Sequence, residues 1–514
     1  MFSPAILFAV GVLFLLYVIH QKRRQAKLPP GPPRLPLIGN LHQAPADAPW
    51  LTFNKWIHQY GPLVSVDFGG TTLILIGDYD IARDLLDKRA NIYRSRPRMV
   101  MAGELTMKGM HIMLRPFDEE FLLHQRLAAS ILSPRASACY TPLQDLESKV
   151  LLKNLLSTNA NDFPRQYERF SASIVYALTY GFRIVTGDEW QLQTAHEVLK
   201  NFTYAGQVGA WIVDAIPVLN YLPAALAPWK KTAEKWYQIE ENLHMVNMKD
   251  ALAREGWNWT KDMKNGKEAE SLSDIEIAYD LGINCDAGVE TTNVTLQIFT
   301  LACLAFPDFI PKAQKELDEV VGQERLPNFD DLEMLPYIQA VVEENFRWRH
   351  IVPAGIPHAT SKEDYYKGYL IPKGSTIIPM FYSMRKDENL FDSPLDFRPE
   401  RWIGKSQPSN FGYGRRVCPG RFIARNSVSI AIARLLWAFN IQQATKEGKT
   451  VVDENTWTTG FVSAPKPFEA VFEPRSEQHK KVIEREFNAA DMDVSRILND
   501  VRKRQVAVGL IPRA

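Results

Sequence analysis

The 514-residue chain is 46% hydrophobic and 23% charged, a balance that builds a large globular core and excludes a disordered or fibrous protein. Its 60 Lys and Arg offset 59 Asp and Glu, so there is no global field to draw in nucleic acid, and no nucleic-acid partner is expected. Cys139, Cys285, Cys303 and Cys418 have no paired spacing, which argues against a disulfide framework or a multi-cysteine zinc site and for a reducing compartment.

From Ala5 to Ile19 the chain carries no charge, and with Phe2, Ser3 and Pro4 the stretch reaches 18 residues, about 27 Å of helix. That spans a thin bilayer such as the endoplasmic reticulum membrane. Lys22, Arg23, Arg24 and Lys27 follow, which by the positive-inside rule leaves the remainder cytoplasmic. A cleaved signal peptide is the competing reading, but it calls for a charged leader and a small-x-small cleavage site, and neither is evident. A transmembrane signal anchor is therefore predicted over 1–20, then a basic stop and proline-rich hinge over 21–33, where Pro29, Pro30, Pro32 and Pro33 stiffen a non-helical elbow.

Residues 63–76 alternate apolar and β-branched side chains around Gly69-Gly70 and predict a β-hairpin. A second strand pair is predicted around the turn at Pro372-Lys373-Gly374-Ser375. From about 120 to 350 the periodicity is helical, broken by prolines such as Pro217, Pro223 and Pro228. No interior linker divides the chain, so one mainly α domain with a minor β-sheet region is expected over 34–475, followed by a charged helical tail over 476–514.

Ser273 and Glu276 have the spacing of a capping box, which predicts a helix running to just before Pro307. It is largely apolar, yet Asn284, Asp286, Glu290 and Asn293 make it a buried central helix rather than a second membrane span. In its middle stands Ala287-Gly288-Val289-Glu290-Thr291-Thr292. Glycine costs about 1 kcal/mol in a helix, so Gly288 marks either close approach of a ligand to the backbone or tight helix packing. Glu290 and Thr291 are either a proton-passing pair or an ordinary solvated acid beside an alcohol.

Glu344 and Arg347, at i and i+3, share a helix face and can pair through both guanidinium nitrogens. By themselves they are indistinguishable from a surface ion pair. Arg401, in the turn Phe397 to Trp402, is placed to join them in a buried network. The most specific stretch is Phe411 to Gly420, FGYGRRVCPG. Its fixed Phe, Gly, Arg, Cys and Gly arise by chance at roughly 2 in ten thousand over such a chain. Cys418 precedes a helix N-terminus, which favours a thiolate. A lone thiolate so presented suits an axial metal ligand, with Arg416 neutralising a carboxylate of the same cofactor and Phe411 shielding the sulfur. The alternative is a structural cysteine in a glycine-rich turn.

In this order, from residue 28 to about 475, these features resemble a microsomal cytochrome P-450. The resemblance implies the fold of that family, with a long distal helix over haem and the cysteine loop on the proximal side. It assigns Cys418 as the ligand of haem b iron, and Glu290 and Thr291 as the proton-delivery pair. Glu344, Arg347 and Arg401 become a structural triad. Arg416 and His358 match positions that hold the haem propionates, and Phe411, Gly414 and Gly420 belong to the haem-binding loop. One departure stands out. Where the family usually has Trp-x-x-x-Arg on an early helix, this chain has Phe121 and Gln125, which leaves His124 or Arg126 to take that propionate role.

The family's chemistry implies O2 activation and oxygen transfer to a C–H or C=C bond. Electrons are expected from NADPH through a membrane-bound flavoprotein, NADPH–cytochrome P-450 reductase, with cytochrome b5 as a second candidate donor. The reductase would dock where Arg415, Arg421 and Arg425 add charge. Met110, Ala287, Gly288, Ala354 and Phe461 fall where relatives contact substrate, and Val213 to Lys230 looks like filamentous-fungal members of secondary metabolism. A bulky apolar small molecule is therefore the expected substrate, and the membrane of the endoplasmic reticulum the expected site. A haem-thiolate isomerase or dehydratase that needs no O2, and a non-catalytic haem-binding protein, are the alternatives.

Overall fold

In the computed structural model, residues 8, 12, 25–45, 47–207, 209–405, 410–444 and 452–510 are described. Apart from Phe8 and Val12, the anchor expected over 1–20 lies outside them. The helices that position the site are α1 (Glu119–Leu132), α2 (Phe163–Tyr180), α3 (Trp190–Ala205), α4 (Pro228–Ala253), α5 (Asp274–Ala305), α6 (Pro336–Trp348), α7 (Arg421–Ala438), α8 (Glu477–Asn488) and α9 (Val494–Ala507).

The axis of this architecture is α5, and it starts where the capping box predicts. The Glu276 carboxylate accepts from the Ser273 N–H at 2.9 Å and from its hydroxyl at 2.6 Å, satisfying donors that the helix leaves open. The helix ends at Ala305, ahead of Pro307. Its flank packs along α2: Ser171 Oγ donates to the Val289 carbonyl at 2.7 Å, and Tyr167 and Thr300 share a 2.7 Å hydroxyl contact. Two glycines allow this closeness. A Cβ at Gly288 would stand 2.5 Å from Val175 Cγ1, and one at Gly282 would stand 2.1 Å from His244 Nδ1 on α4. Among the described residues no single helix is long and apolar enough to cross a bilayer, and α5 passes that test only with the following segment to Val320, at a bend of 92°.

The sheet lies at one edge of the helical body, in the order β1 (Leu63–Phe68), β2 (Thr71–Ile76), β6 (Thr376–Pro379), β3 (His358–Ala359). The hairpin β1–β2 forms as expected, with Leu63 opposite Ile76. The second expected pair does not. The strands flanking the Pro372–Ser375 turn are β5 (Tyr369–Ile371) and β6, and they diverge. β5 pairs with β4 (Asp364–Tyr366), whereas β6 runs parallel to β2, Leu73 opposite Thr376. Thr360 intervenes: its N–H donates to the Ser375 carbonyl and its carbonyl accepts from the Gly374 N–H, so the turn's hydrogen bonds go to a third segment. β7 (Phe439–Gln442) and β8 (Val471–Pro474) form a separate ribbon.

The charged tail folds as α8 and α9. Val482, Ile483, Leu498 and Val501 are buried in the same apolar cluster as α2, α5 and α7, so the tail's charges face outward while its stripe completes the main core.

Candidate active site

α6 begins with Pro336 at its first position, which suits a proline lacking an N–H, and carries Glu344 and Arg347 into the core at 0% exposure each. Arg347 Nε and Nη2 donate to the two Glu344 oxygens at 2.8 and 2.7 Å. Arg401 Nε adds a third contact at 3.1 Å, and the Trp402 indole N–H and Arg398 backbone N–H each donate at 2.8 Å. The remaining Arg347 donors end on the carbonyls of Arg385, Pro394 and Asp396. The three residues thus come together as expected, with the acid fully saturated, and they pin the 385–402 segment beside α6.

The cysteine loop sits on α7. Cys418 is half-buried, and its N–H donates to the Phe411 carbonyl at 2.8 Å, folding the loop back on itself. Burial pushes the thiol above its ordinary value, while the N–H groups of Gly420 and Arg421 at the helix N-terminus, and the Arg421 charge, act against that. The Phe411 ring packs edge-on against Phe346 at 5.2 Å. Gly414 has φ +55°, and a Cβ there would lie 2.2 Å from the Leu86 carbonyl oxygen. Its N–H donates to Asp87 at 2.5 Å. A Cβ at Gly420 would meet nothing within 4 Å.

Next to the loop three basic side chains converge. His358 is buried on β3, with Nδ1 at 2.9 Å from the Tyr93 carbonyl. Arg96 is buried and bound to the carbonyls of Met113 at 2.9 Å and Pro357 at 2.7 Å. Arg416 lies over the Phe121 ring at 3.6 Å and donates to the Arg94 and Arg115 carbonyls. Burial pushes all three toward their neutral forms: Arg416 falls to about 10, and mutual repulsion lowers Arg96 and His358 further. Asp118 is the acid that acts on Arg416, and it is committed to capping α1 through the Phe121 N–H. Such a cluster calls for anionic compensation.

The sequence does not single out Arg96, because Arg94, Arg96 and Arg98 alternate around Ser95 and Pro97 and only burial tells them apart. For His124 and Arg126 the structure shows a protein partner for the first and a surface position for the second. His124 faces inward to Asp280 on α5 at 2.6 Å, three residues past Phe121 on the core side of α1, and Arg126 is exposed. What stands at the departure is Phe121 beneath Arg416 and Gln125, whose amide donates to the Arg415 carbonyl at 3.2 Å.

On α5, Ala287 is exposed and Thr291 half-buried, in a helix otherwise largely buried. Thr291 Oγ1 donates to the Ala287 carbonyl at 2.7 Å. Glu290 makes no hydrogen bond within the described residues. Burial raises it to about 7, against an opposing pull from His196. It lines a cleft of about 470 Å³ together with His196, Leu199, Lys200, Thr203 and Phe461. The Cβ position of Gly288 faces Val175 on α2. Met110 packs with Phe202, Tyr237 and Tyr279, and Ala354 packs with the β-sheet cluster around Trp50 and Met380.

Residues 29–472 match the sequence pattern of cytochrome P-450. The chain belongs to the cytochrome P-450 family. It is 41% identical over 495 residues to cytochrome P-450 monooxygenase aneD of Aspergillus aculeatus, covering 95% of each chain. It is 39% identical over 491 residues to monooxygenase drtD of Aspergillus calidoustus, covering 95% of this chain and 93% of that one. With cytochrome P-450 monooxygenase 58 of Postia placenta it shares 33% over 489 residues, covering 91% and 92%. This cytochrome P-450 is an oxidoreductase, a haem monooxygenase that uses molecular oxygen to oxidise a small molecule.

The residues present fit a haem. A single cysteine at a helix N-terminus would hold an iron whose remaining ligands come mainly from a macrocycle, and Arg96, His358 and Arg416 would take that group's two carboxylates.

Proposed function

We propose that this chain holds haem b through Cys418 and uses Glu290 and Thr291 to deliver protons during oxidation of a bulky, mostly apolar natural product in fungal secondary metabolism. The observation that carries the reading is the convergence of buried Arg96 and His358 with half-buried Arg416, with no acid but the capping Asp118 near them, beside a cysteine at the N-terminus of α7. The iron-porphyrin supplies the oxygen-activating chemistry when bound; the protein holds, orients and excludes water. Arg96, His358 and Arg416 take the propionates, and Glu344 with Arg347 and Arg401 keeps the loop's surroundings from shifting. Thr291, tied to the Ala287 carbonyl, is held with its oxygen at the helix face, and Glu290 next to it exchanges protons near neutral pH.

The substrate class is supported by the cleft's Leu199, Tyr204, Phe461 and Val462 and by the fungal origin of the monooxygenases it resembles. In the same reading the anchor over 1–20 fixes the enzyme on the cytoplasmic face of the endoplasmic reticulum, and NADPH–cytochrome P-450 reductase supplies electrons at the face carrying Arg415, Arg421 and Arg425.

Screening apolar polycyclic natural products for a spin-state shift of the haem Soret band, followed by turnover with NADPH and reductase, tests this reading. Oxygenated product, with NADPH consumption that responds to Thr291→Ala, is expected. A response confined to small charged molecules contradicts the substrate class, and turnover that continues without O2 contradicts the oxygenase reading.

A further inference from the structure

His196 on α3 places Nε2 2.6 Å from Glu168 Oε1 on α2. The imidazole is 43% exposed and the carboxylate 23%, so the pair sits at the border of solvent. Glu168 fixes the ring by one nitrogen, and Nδ1 carries no hydrogen bond within the described residues. His196 and half-buried Glu290 line the same cleft.

The groups around His196 come from each neighbouring element. Glu168 faces it from α2, Glu290 and Asp286 act on it from α5, Lys200 lies one turn on along α3, and the Gly460–Val462 loop across the cleft brings no titratable side chain. Asp286 is one helical turn before Glu290, and burial raises it as well, to about 7. Glu290 feels His196 as its opposing cation and Glu168 as a like charge. An acid that gives protons inward has to be reloaded from water, and imidazole is the side chain whose ordinary titration suits that at neutral pH.

We propose that His196, oriented by Glu168, is the positioning and proton-loading residue for Glu290, passing solvent protons to it through water in the cleft. Nδ1 takes a proton from a hydronium ion of the solvent, releasing water and giving the imidazolium, whose Nε2–H stays on Glu168. The Nδ1 proton then moves to the Glu290 carboxylate, leaving neutral imidazole and a protonated acid; no electron changes hands. This rests on the reading of Glu290 as the proton-delivery acid.

Two measurements on the haem-loaded protein test it. In an infrared pH titration, the carboxyl band removed by Glu290→Gln is expected to titrate about 1 unit higher in His196→Gln, because the opposing cation is lost. An unchanged midpoint overturns the coupling, and since His196 is near the surface the variant keeps its fold. Under NADPH and reductase without added substrate, the share of electrons released as hydrogen peroxide is expected to rise severalfold in Glu290→Gln and in His196→Gln, with the double variant no worse than Glu290→Gln alone. A rise in Glu290→Gln only overturns the role of His196 and leaves the proposed function standing. No rise in either overturns the reading of Glu290 and this inference with it.

Discussion

His124 Nδ1 lies 2.6 Å from Asp280 Oδ2, and each side chain is 1% exposed. The pair ties α1 to α5 at the position where the family's usual early-helix pattern is broken. His124 Nε2 and Asp280 Oδ1 find no other partner, so the two depend on each other. Removing one member of a buried pair costs about 3–5 kcal/mol. His124→Ala is therefore expected to lower stability in denaturant unfolding by that order, whereas His124→Leu combined with Asp280→Leu recovers most of it. Weakened haem retention with unchanged protein stability would instead return His124 to a propionate role.

Gly288 yields a prediction with its own suppressor. Because a Cβ there would meet Val175 Cγ1 at 2.5 Å, Gly288→Ala is expected to destabilise by about 1–3 kcal/mol through overpacking. Val175→Ala added to it removes the colliding methyl and should restore much of the loss in thermal unfolding. Failure of that rescue would point to the glycine serving a ligand.

Glu290 makes stability depend on pH in a defined direction. Burial raises its carboxyl from 4.5 to about 7, so the folded state binds more protons than the unfolded chain across that window. Its contribution is most favourable below 4.5 and is lost as pH rises to about 7. Glu290→Gln removes this dependence. The stability of the variant relative to the parent is expected to climb through the window and level off above it, as read by unfolding at a series of pH values.

Arg347→Lys is expected to behave as a severe change, because a single ammonium cannot reproduce the fork to both Glu344 oxygens and the contacts to three carbonyls. It leaves Glu344, at 0% exposure, only partly matched, and a loss of about 3 kcal/mol or more is expected. The checks are the unfolding midpoint and the ratio of haem to protein absorbance, and a variant matching the parent in both would contradict the triad's role.

What was legible in the sequence is what local chemistry writes. The Ser273–Glu276 cap, the cysteine loop and the Glu344–Arg347 pair each lie within ten residues, and the structure brings Arg401 to that pair as expected. What was not legible depends on which distant element arrives. The partner of β6 is β2, some 300 residues earlier in the chain, so the turn at Pro372 to Ser375 cannot reveal it. Gly288 announces a close approach without saying whether Val175 or a ligand makes it. Arg96 is distinguished from Arg94 and Arg98 by burial alone, and His196 meets Glu168 across two helices with no motif to join them.

The measurement closest to the central claim is the carbon-monoxide difference spectrum of the dithionite-reduced, membrane-expressed protein, taken beside Cys418→Ala. A strongly red-shifted Soret band in the parent and none in Cys418→Ala is expected. An unshifted band from folded parent protein, or a red-shifted band that survives Cys418→Ala, would contradict the assignment of Cys418 as the thiolate ligand and the function built on it.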